Sequence, residues 1–392
     1  MKGRPSGGPS DYYALADRLY AQLLSWLLVS AYPLWATKGY DTERGGFHER
    51  LGEQGPVGGD PRRARVQVRQ VYCFASAVTL GWNRDPTTLV TDGLEYFLRH
   101  YRRPDGLFRT LCAADGTPLD EHAFLYDQAF VLLALAETQR AVGRQAWIRE
   151  EAHALMAALN RLLRRRGGGF ESRDPGGLPL LSNPHMHLLE AALAWRTMSG
   201  DSLWRDLADE IAALALDRFI DRQSGALRES FAQDWSPMDG LPGRLVEPGH
   251  LYEWAWLLLR WRNERDCVIA ARRLVGIADR YGVRDGVVIN SLLDDLTPYD
   301  AHARLWPQTE RLKVSARLAV VDESYWAAAA EAAQTLIQYL DAAGNGLWRD
   351  CMSPQKRFIE EPAPASNFYH IVCCIDELGR ALNDGRRASS AG

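Results

Sequence analysis

A glycine turn followed by a large apolar residue and then polar residues recurs six times along this chain. The copies are Gly46-Phe47-His48-Glu49, Asp105-Gly106-Leu107-Phe108-Arg109, Gly168-Gly169-Phe170-Glu171, Gly225-Ala226-Leu227-Arg228-Glu229, Asp285-Gly286-Val287-Val288 and Asn345-Gly346-Leu347-Trp348-Arg349. With Phe47, Phe108, Phe170, Leu227, Val288 and Trp348 as anchors, the spacings are 61, 62, 57, 61 and 60 residues. A fixed period over the whole length means one supersecondary unit used six times. Each unit alone would expose an apolar face, so the 392 residues are expected to form one array rather than two or three unrelated domains.

Between consecutive turns lie two stretches with helical apolar spacing and abundant Ala and Leu. They fall at about 12–34, 66–82, 87–101, 123–142, 145–165, 185–199, 202–220, 250–263, 266–282, 303–318, 323–343 and 367–383. Short links join one pair to the next, as at Gly143-Arg144, whereas long loops at 35–65, 102–122, 166–184, 221–249, 283–302 and 344–366 follow the other helix ends. Six helical hairpins form either an open solenoid or a closed double ring. A solenoid needs polar capping repeats, yet Phe368 to Leu382 is as apolar as the middle helices. The expected fold is therefore all-α, an (α/α)6 barrel closed as a single domain over 11–385. Flexible tails are expected at 1–10 and 386–392. In such a ring every second helix forms the inner wall, and the long loops gather at one mouth.

A net charge of −4 gives no footprint for nucleic acid or an anionic membrane surface. No apolar run reaches membrane-spanning length without a break. The apolar run 21–36 follows Asp11, Asp17 and Arg18 and lacks a small-residue cleavage site, so it reads as a buried helix rather than a secretion signal. The six cysteines form no C-x-x-C pair and sit mostly in apolar stretches, which fits a reducing cytoplasm.

The helices that follow the long loops begin with residues ill suited to a plain core: Arg65, Gln67, Arg69 and Tyr72; Glu121, His122, Tyr126 and Asp127; His185, His187 and Glu190; Glu247, His250, Glu253 and Trp254; Trp306 and Glu310; Asn367, Tyr369 and His370. Each has a bland alternative. Arg65 or Arg69 can be a solvated side chain, Trp306 plain core, and Glu310 a partner of Arg311 or Lys313. His185 and His187 point in different directions on a helix; His187 shares a face with Glu190 and is preferred for the pocket. The H-x-H spacing fits zinc poorly on a helix, and no dinucleotide fingerprint or phosphate loop is present. What the bland readings leave unexplained is that all six clusters fall at the same end of alternate helices.

Arg69-Gln70-Val71-Tyr72-Cys73-Phe74, Leu125-Tyr126-Asp127-Gln128-Ala129-Phe130, Asn183-Pro184-His185-Met186-His187-Leu188-Leu189-Glu190, Glu247-Pro248-Gly249-His250 with Glu253-Trp254, Trp306-Pro307-Gln308-Thr309-Glu310 and Tyr369-His370 resemble the N-acylglucosamine 2-epimerase superfamily, which includes cellobiose 2-epimerases and D-mannose isomerases. The resemblance spans roughly residues 12–383 in family order. It implies an (α/α)6 barrel with catalytic histidines at His250 and His370. It also implies substrate-binding residues at Arg69, Tyr126, His187, Glu190, Glu253, Trp306 and Glu310. Tyr72 or its neighbour stands where cellobiose epimerases carry tryptophan, which argues against a disaccharide.

The implied chemistry is removal of a proton from C2 of an open-chain aldose. A near-neutral base suits histidine, and the enediolate oxygen needs a cation such as Arg69. Return of the proton to C1 gives the ketose; return to the other face of C2 gives the epimer. The expectation is a cofactor-independent, metal-free isomerase of D-mannose and D-fructose, cytoplasmic, acting on a monosaccharide, with a homodimer as the candidate assembly. The alternatives are a 2-epimerase of N-acylglucosamine or glucose type and a silent sugar-binding barrel. Glycosidases on similar barrels use paired carboxylic acids, and a pocket led by histidines argues against hydrolysis.

Overall fold

Each glycine turn reverses the chain at the end of an outer helix, and in four of the six repeats the anchor after it is clamped by a side chain of the next inner helix. Gln67, Gln128 and Gln308 each stand 20 residues after their anchors and bond both backbone groups of Phe47, Phe108 and Val288 at 2.7–2.9 Å. In the third repeat His185 takes this place, its Nε2 accepting from the Phe170 N–H at 3.0 Å. The turn glycines have φ near +70° to +90°, a conformation costly for any other residue. At Gly346 a Cβ would also lie 2.6 Å from the Ser30 carbonyl oxygen.

The computed structural model describes residues 8–391, excepting the side chains of 388–391. Among them are twelve long helices, in the pairs the periodicity predicts. They are α1 (9–38, with a π turn at Leu27–Ala31), α2 (Ala64–Leu80), α3 (Thr87–Tyr101), α4 (Leu125–Val142), α5 (Ala146–Leu162) and α6 (Ser182–Met198). They continue as α7 (202–219), α8 (Pro248–Trp261), α9 (265–282), α10 (Leu305–Ala319), α11 (Trp326–Asp341) and α12 (Phe368–Ala391). The even-numbered helices pack each on the next, from α2 through α12, and α12 packs back on α2. The odd-numbered helices lie outside them: α3 on α2, α5 on α4, α7 on α6, α9 on α8 and α11 on α10, with α1 on α11 and α12. The even helices are buried on nearly every face, which explains their weak amphipathicity in sequence.

The tails are shorter than the sequence predicts. Pro9 opens α1 inside the tail expected at 1–10, since proline suits a first helical position and the Gly8 N–H is bound by the Asp11 carboxylate at 2.9 Å. The end of α12 is held on α1, by Tyr13 on the Leu382 carbonyl (3.0 Å) and by Arg386 on Asp17, so the helix runs to Ala391, inside the tail expected at 386–392. Residues 1–7 and Gly392 lie outside the described residues.

Short antiparallel strands tie neighbouring long loops together at the mouth. Arg62–Arg63 pairs with Leu111–Cys112, Ala123–Phe124 with Arg173–Asp174, and Leu180–Leu181 with Ser230–Phe231. Leu245–Val246 pairs with Ser291–Leu293, Ala303–Arg304 with Cys351–Met352, and Ala363–Pro364 returns to pair with Arg50–Gly52. Each of these strands leads directly or almost directly into an inner helix, so its pairing sets where that helix begins. No helix among the described residues is long and apolar enough to cross a membrane.

Gln128→Leu should keep the shape of the side chain but leave the Phe108 N–H and C=O buried without partners. A loss of about 1–3 kcal/mol per orphaned group is expected in denaturant unfolding; an unchanged midpoint would show that the clamp contributes nothing.

Candidate active site

His250 lies in the first turn of α8 and His370 in the first turn of α12, each helix start fixed by a strand of the mouth. Both rings are nearly buried, at 6% exposure. His250 Nδ1 lies 2.9 Å from Glu229 Oε2 and 3.8 Å from Glu247 Oε2. Glu229 is itself held by the Ser182 hydroxyl and the Glu247 N–H, both at 3.3 Å. His370 Nδ1 lies 2.8 Å from Glu310 Oε1. In both rings a carboxylate engages Nδ1, which leaves Nε2 as the nitrogen able to serve a substrate. The Trp306 ring stands beside both, 5.0 Å from His250 and 5.8 Å from His370 between centroids.

The two histidines sit in opposite fields. Burial works against charge on His250, but Glu229, Glu247 and Glu253 outweigh it and raise its pKa to about 10. His370 is pushed well below the usual histidine value by burial, with Arg69, Lys313 and His250 adding to the fall. At neutral pH His250 is therefore an imidazolium and His370 a free base. Groups whose environments drive their pKa values apart mark out an acid and a base.

The other expected residues join these two in one contact chain. Arg69 is buried and stacks on Phe130 at 4.0 Å, with Tyr369 at 5.2 Å and Tyr126 at 5.5 Å. It donates to Tyr126 Oη at 2.5 Å and to the Ser366 carbonyl at 3.2 Å, while its Nε–H has no protein acceptor. His187 lies 5.0 Å from the Tyr126 ring and 3.2 Å from Glu190 Oε2. Burial lowers His187 to about 4 and leaves it neutral. Glu190 stays ionised despite burial, at about 2, because His187, Lys313 and the Tyr369 hydroxyl face it. Glu253 approaches His187 at 3.9 Å; burial and the neighbouring Glu310 raise its pKa to about 8.

Several residues have other duties. His185 is structural, clamped between the Phe170 N–H and the Leu181 carbonyl. His122 pairs with Asp120 and is partly exposed. Arg65 is partly exposed and reaches Asp127 at 3.5 Å. A natural expectation for the 229–249 loop is that Trp235 shapes the pocket. Trp235 is instead buried against His185, Phe219 and Phe231, with its N–H on the Gly168 carbonyl. The same segment supplies Glu229, which the residue patterns do not single out. The signal was positional: Glu229 stands two residues after the fourth anchor.

Three groups have ligand atoms close enough to surround a cation: His187, Glu190 and Glu253; Glu229, Glu247 and His250; and Glu253, Glu310 and His370, the first and third sharing Glu253. The sequence spacing did not reveal them, because the first and third draw on different repeats and the second joins a loop glutamate to residues about 20 positions on. The second and third each contain one of the expected catalytic histidines.

Glu229→Gln removes the carboxylate that outweighs burial at His250. The His250 ring should then titrate well below 10, observed by histidine-selective NMR; an unmoved titration would remove Glu229 from this role.

Residues 45–374 match the family model of N-acylglucosamine 2-epimerase (GlcNAc 2-epimerase). The chain is 48% identical over 375 residues to a mannose-6-phosphate isomerase of Rhizobium meliloti (strain 1021), covering 92% of this chain and 97% of that one. A crystal structure of D-mannose isomerase matches with a TM-score of 0.82 at 19% identity, covering 94% of this chain and 97% of the other. Cellobiose 2-epimerase from Spirochaeta thermophila DSM 6192 matches with a TM-score of 0.83 at 20% identity, with the same 94% and 97% coverage. At these identities the two structures speak for the fold alone. The matched family model and the relative of near-complete coverage together show that this chain belongs to the N-acylglucosamine 2-epimerase family.

Proposed function

We propose that the protein is an aldose–ketose isomerase that interconverts D-mannose and D-fructose, with His370 as base and His250 as acid. The fold behind this reading is a closed (α/α)6 barrel, supported by the packing of α12 on α2 and the pairing of 363–364 with 50–51. The names of the Rhizobium relative and of the D-mannose isomerase structure favour this substrate type.

The observation that carries the reading is the opposed protonation of the two histidines. His250, as an imidazolium, donates a proton to the ring oxygen and takes up the proton of the anomeric hydroxyl as the sugar opens, so it is charged again before the C2 step. His370, neutral and with Nε2 free, removes the proton from C2. The growing enediolate charge is met by the Arg69 guanidinium and the charged histidine. C1 and C2 of a cis-enediolate share one face, so His370 returns the proton to C1 while the proton of the C2 hydroxyl passes to O1, and the ketose forms. Epimerisation would need a proton donor on the opposite face of C2; here the imidazolium is assigned to the ring oxygen, and labelling in deuterated water separates the two outcomes. Tyr126, His187, Glu190, Glu253, Trp306 and Glu310 shape and orient the site. The reaction moves only a proton, so it requires no redox cofactor. Six unpaired cysteines, five of them buried, suit a reducing cytoplasm.

A second reading is that the substrate carries a phosphate at C6. It rests on the Rhizobium relative's name and on a cavity of about 550 Å³ lined by Arg63, Arg65, Tyr126 and Asn183. Arg63 and Arg65 are already engaged by Glu49 and Asp127, so the unphosphorylated sugar is the first choice. Turnover of mannose-6-phosphate far above that of mannose would reverse the order.

With mannose in deuterated water, fructose should appear first, with deuterium at C1 diluted by direct C2-to-C1 transfer, and glucose at most a minor later product. Early glucose without fructose would overturn the isomerase reading.

His250→Asn and His370→Asn should each lower turnover by about 10²–10⁴-fold, the usual contribution of a positioned acid or base, with an unchanged circular dichroism spectrum. Near-wild-type turnover in either variant would remove that histidine from the mechanism.

A further inference from the structure

Beneath the two histidines lies a charged side chain that the proposed proton transfers do not use. Lys313 is fully buried on α10, one turn beyond Glu310. Its Nζ lies 2.6 Å from Glu310 Oε2 and 3.9 Å from Glu253 Oε1. It also sits 3.9 Å over the Trp256 ring and 3.8 Å from Cys373 Sγ. We propose that Lys313 is a positioning residue for the isomerase, the built-in cation that holds Glu310 and through it fixes His370 in the orientation that leaves Nε2 facing the sugar. This inference rests on the isomerase reading given above.

The geometry divides the Glu310 carboxylate between two partners. Oε1 is on His370 Nδ1 at 2.8 Å, and Oε2 is on the ammonium. With one oxygen on the imidazole and the other ion-paired, though not hydrogen-bonded, to the ammonium, the carboxylate is restrained, which favours His370 keeping its proton on Nδ1 and its lone pair on Nε2. Without the ammonium, Glu310 would be an unpaired carboxyl fully buried beside Glu253 and Glu190. Such a group takes up a proton and no longer dictates the tautomer of its neighbour. Two of the three groups able to surround a cation, His187/Glu190/Glu253 and Glu253/Glu310/His370, share Glu253, which Lys313 also faces. The lysine thus supplies positive charge where a divalent ion would otherwise neutralise these acids.

A plain structural ion pair would explain the burial but not the placement. Such a pair gains little over apolar packing, and here one oxygen of the acid is spent on a proposed catalytic base. The charged and titratable groups facing Lys313 come from every inner helix near it: Glu310 on α10, Glu253 on α8, Glu190 on α6, and Cys373 and His370 on α12, with Arg69 of α2 acting on His370. Removing the ammonium removes one of the charges that depress His370, so His370 should bind a proton at higher pH. A cavity of about 210 Å³ at the opposite end of the inner helices reaches Trp256, Cys373 and Glu190. A small amine can therefore approach the lysine's position.

The test uses Lys313→Met and Lys313→Ala in the full chain. In Lys313→Met the acid limb of kcat/KM should move to higher pH, with kcat at pH 6.5 reduced at least tenfold and KM changed less than threefold. A merely structural lysine would lower activity equally at every pH. In Lys313→Ala, propylammonium should restore activity in a saturable way, whereas tetramethylammonium at equal ionic strength should not. Should Lys313→Met fail to fold, Lys313→Ala refolded with propylammonium carries the same comparison. The His370 ring titration by NMR, read without substrate, should also move upward in Lys313→Met. It separates this proposal from the isomerase reading, since it holds whichever sugar is turned over. An unshifted acid limb, an unmoved His370 titration and no amine rescue would overturn the proposal.

Discussion

One backbone hydrogen bond, made at five of the six inner helices, sets where those helices begin at the mouth. The N–H at the start of an inner helix donates to the carbonyl two residues past an anchor in a neighbouring loop. Ala64 bonds Thr110 at 2.8 Å, Leu125 bonds Ser172 at 3.0 Å, Ser182 bonds Glu229 at 3.1 Å and Leu305 bonds Asp350 at 2.7 Å. At the seam Ala365, just ahead of α12, bonds Glu49 at 2.8 Å and so ties the last repeat to the first. An inner helix leaves its first N–H groups unpaired within itself. Lending one to the adjacent loop satisfies that donor and sets the rotation and height of the helix. His370, in the first turn of α12, inherits its placement from this register, whereas α8, which carries His250, is placed by the pairing of Leu245–Val246 with Leu292–Leu293.

Once the register is set, electrostatics decides what each side chain does. His250 and His370 are the same residue type at the same depth, and they differ only in company. Glu229 and Glu247 surround one; Arg69 and Lys313 influence the other. In a medium of low effective dielectric these neighbours outweigh or reinforce the burial cost shared by both rings. The buried carboxyls Glu190, Glu253 and Glu310 would be untenable as a group of free anions. Arg69 and Lys313 offset part of that charge, and Tyr369 and His187 direct hydrogen bonds at Glu190.

Much of this was legible in the sequence, and for identifiable reasons. The period of the anchors reports the repeat because each turn needs a glycine at positive φ and an apolar residue under the next helix. The alternation of long and short links reports which helix ends face the mouth. The bounds of α4 and α6 fall within three residues of expectation, since their flanks are strands and short links. The residues of the contact chain were found because buried polar residues at a helix start stand out. Glu229 was not, because a glutamate in a loop next to an arginine looks like any solvated carboxylate until the fold buries it. Lys313 was noticed only as a partner for Glu310. Its full burial follows from ring packing that no local pattern encodes. Trp235 misled because aromatic content in a long loop is equally suited to a lid and to a wall.

The position two residues past each anchor shows how the fold separates structure from chemistry. In five of the six repeats its carbonyl caps a helix or the turn just before one, a task that any residue can perform. Its side chain is then unconstrained by the backbone's work. Glu49 uses that freedom to hold Arg63, Asp350 to bind Asn367, and Glu229 to charge His250. Asn290 instead takes its backbone N–H to the His302 carbonyl and its amide to Asp300. The same backbone slot therefore supports a salt bridge in one sector and an acid's partner in another. A fold of this kind can change its chemistry by altering side chains at fixed slots, because the bonds that tie its repeats together are made by the main chain.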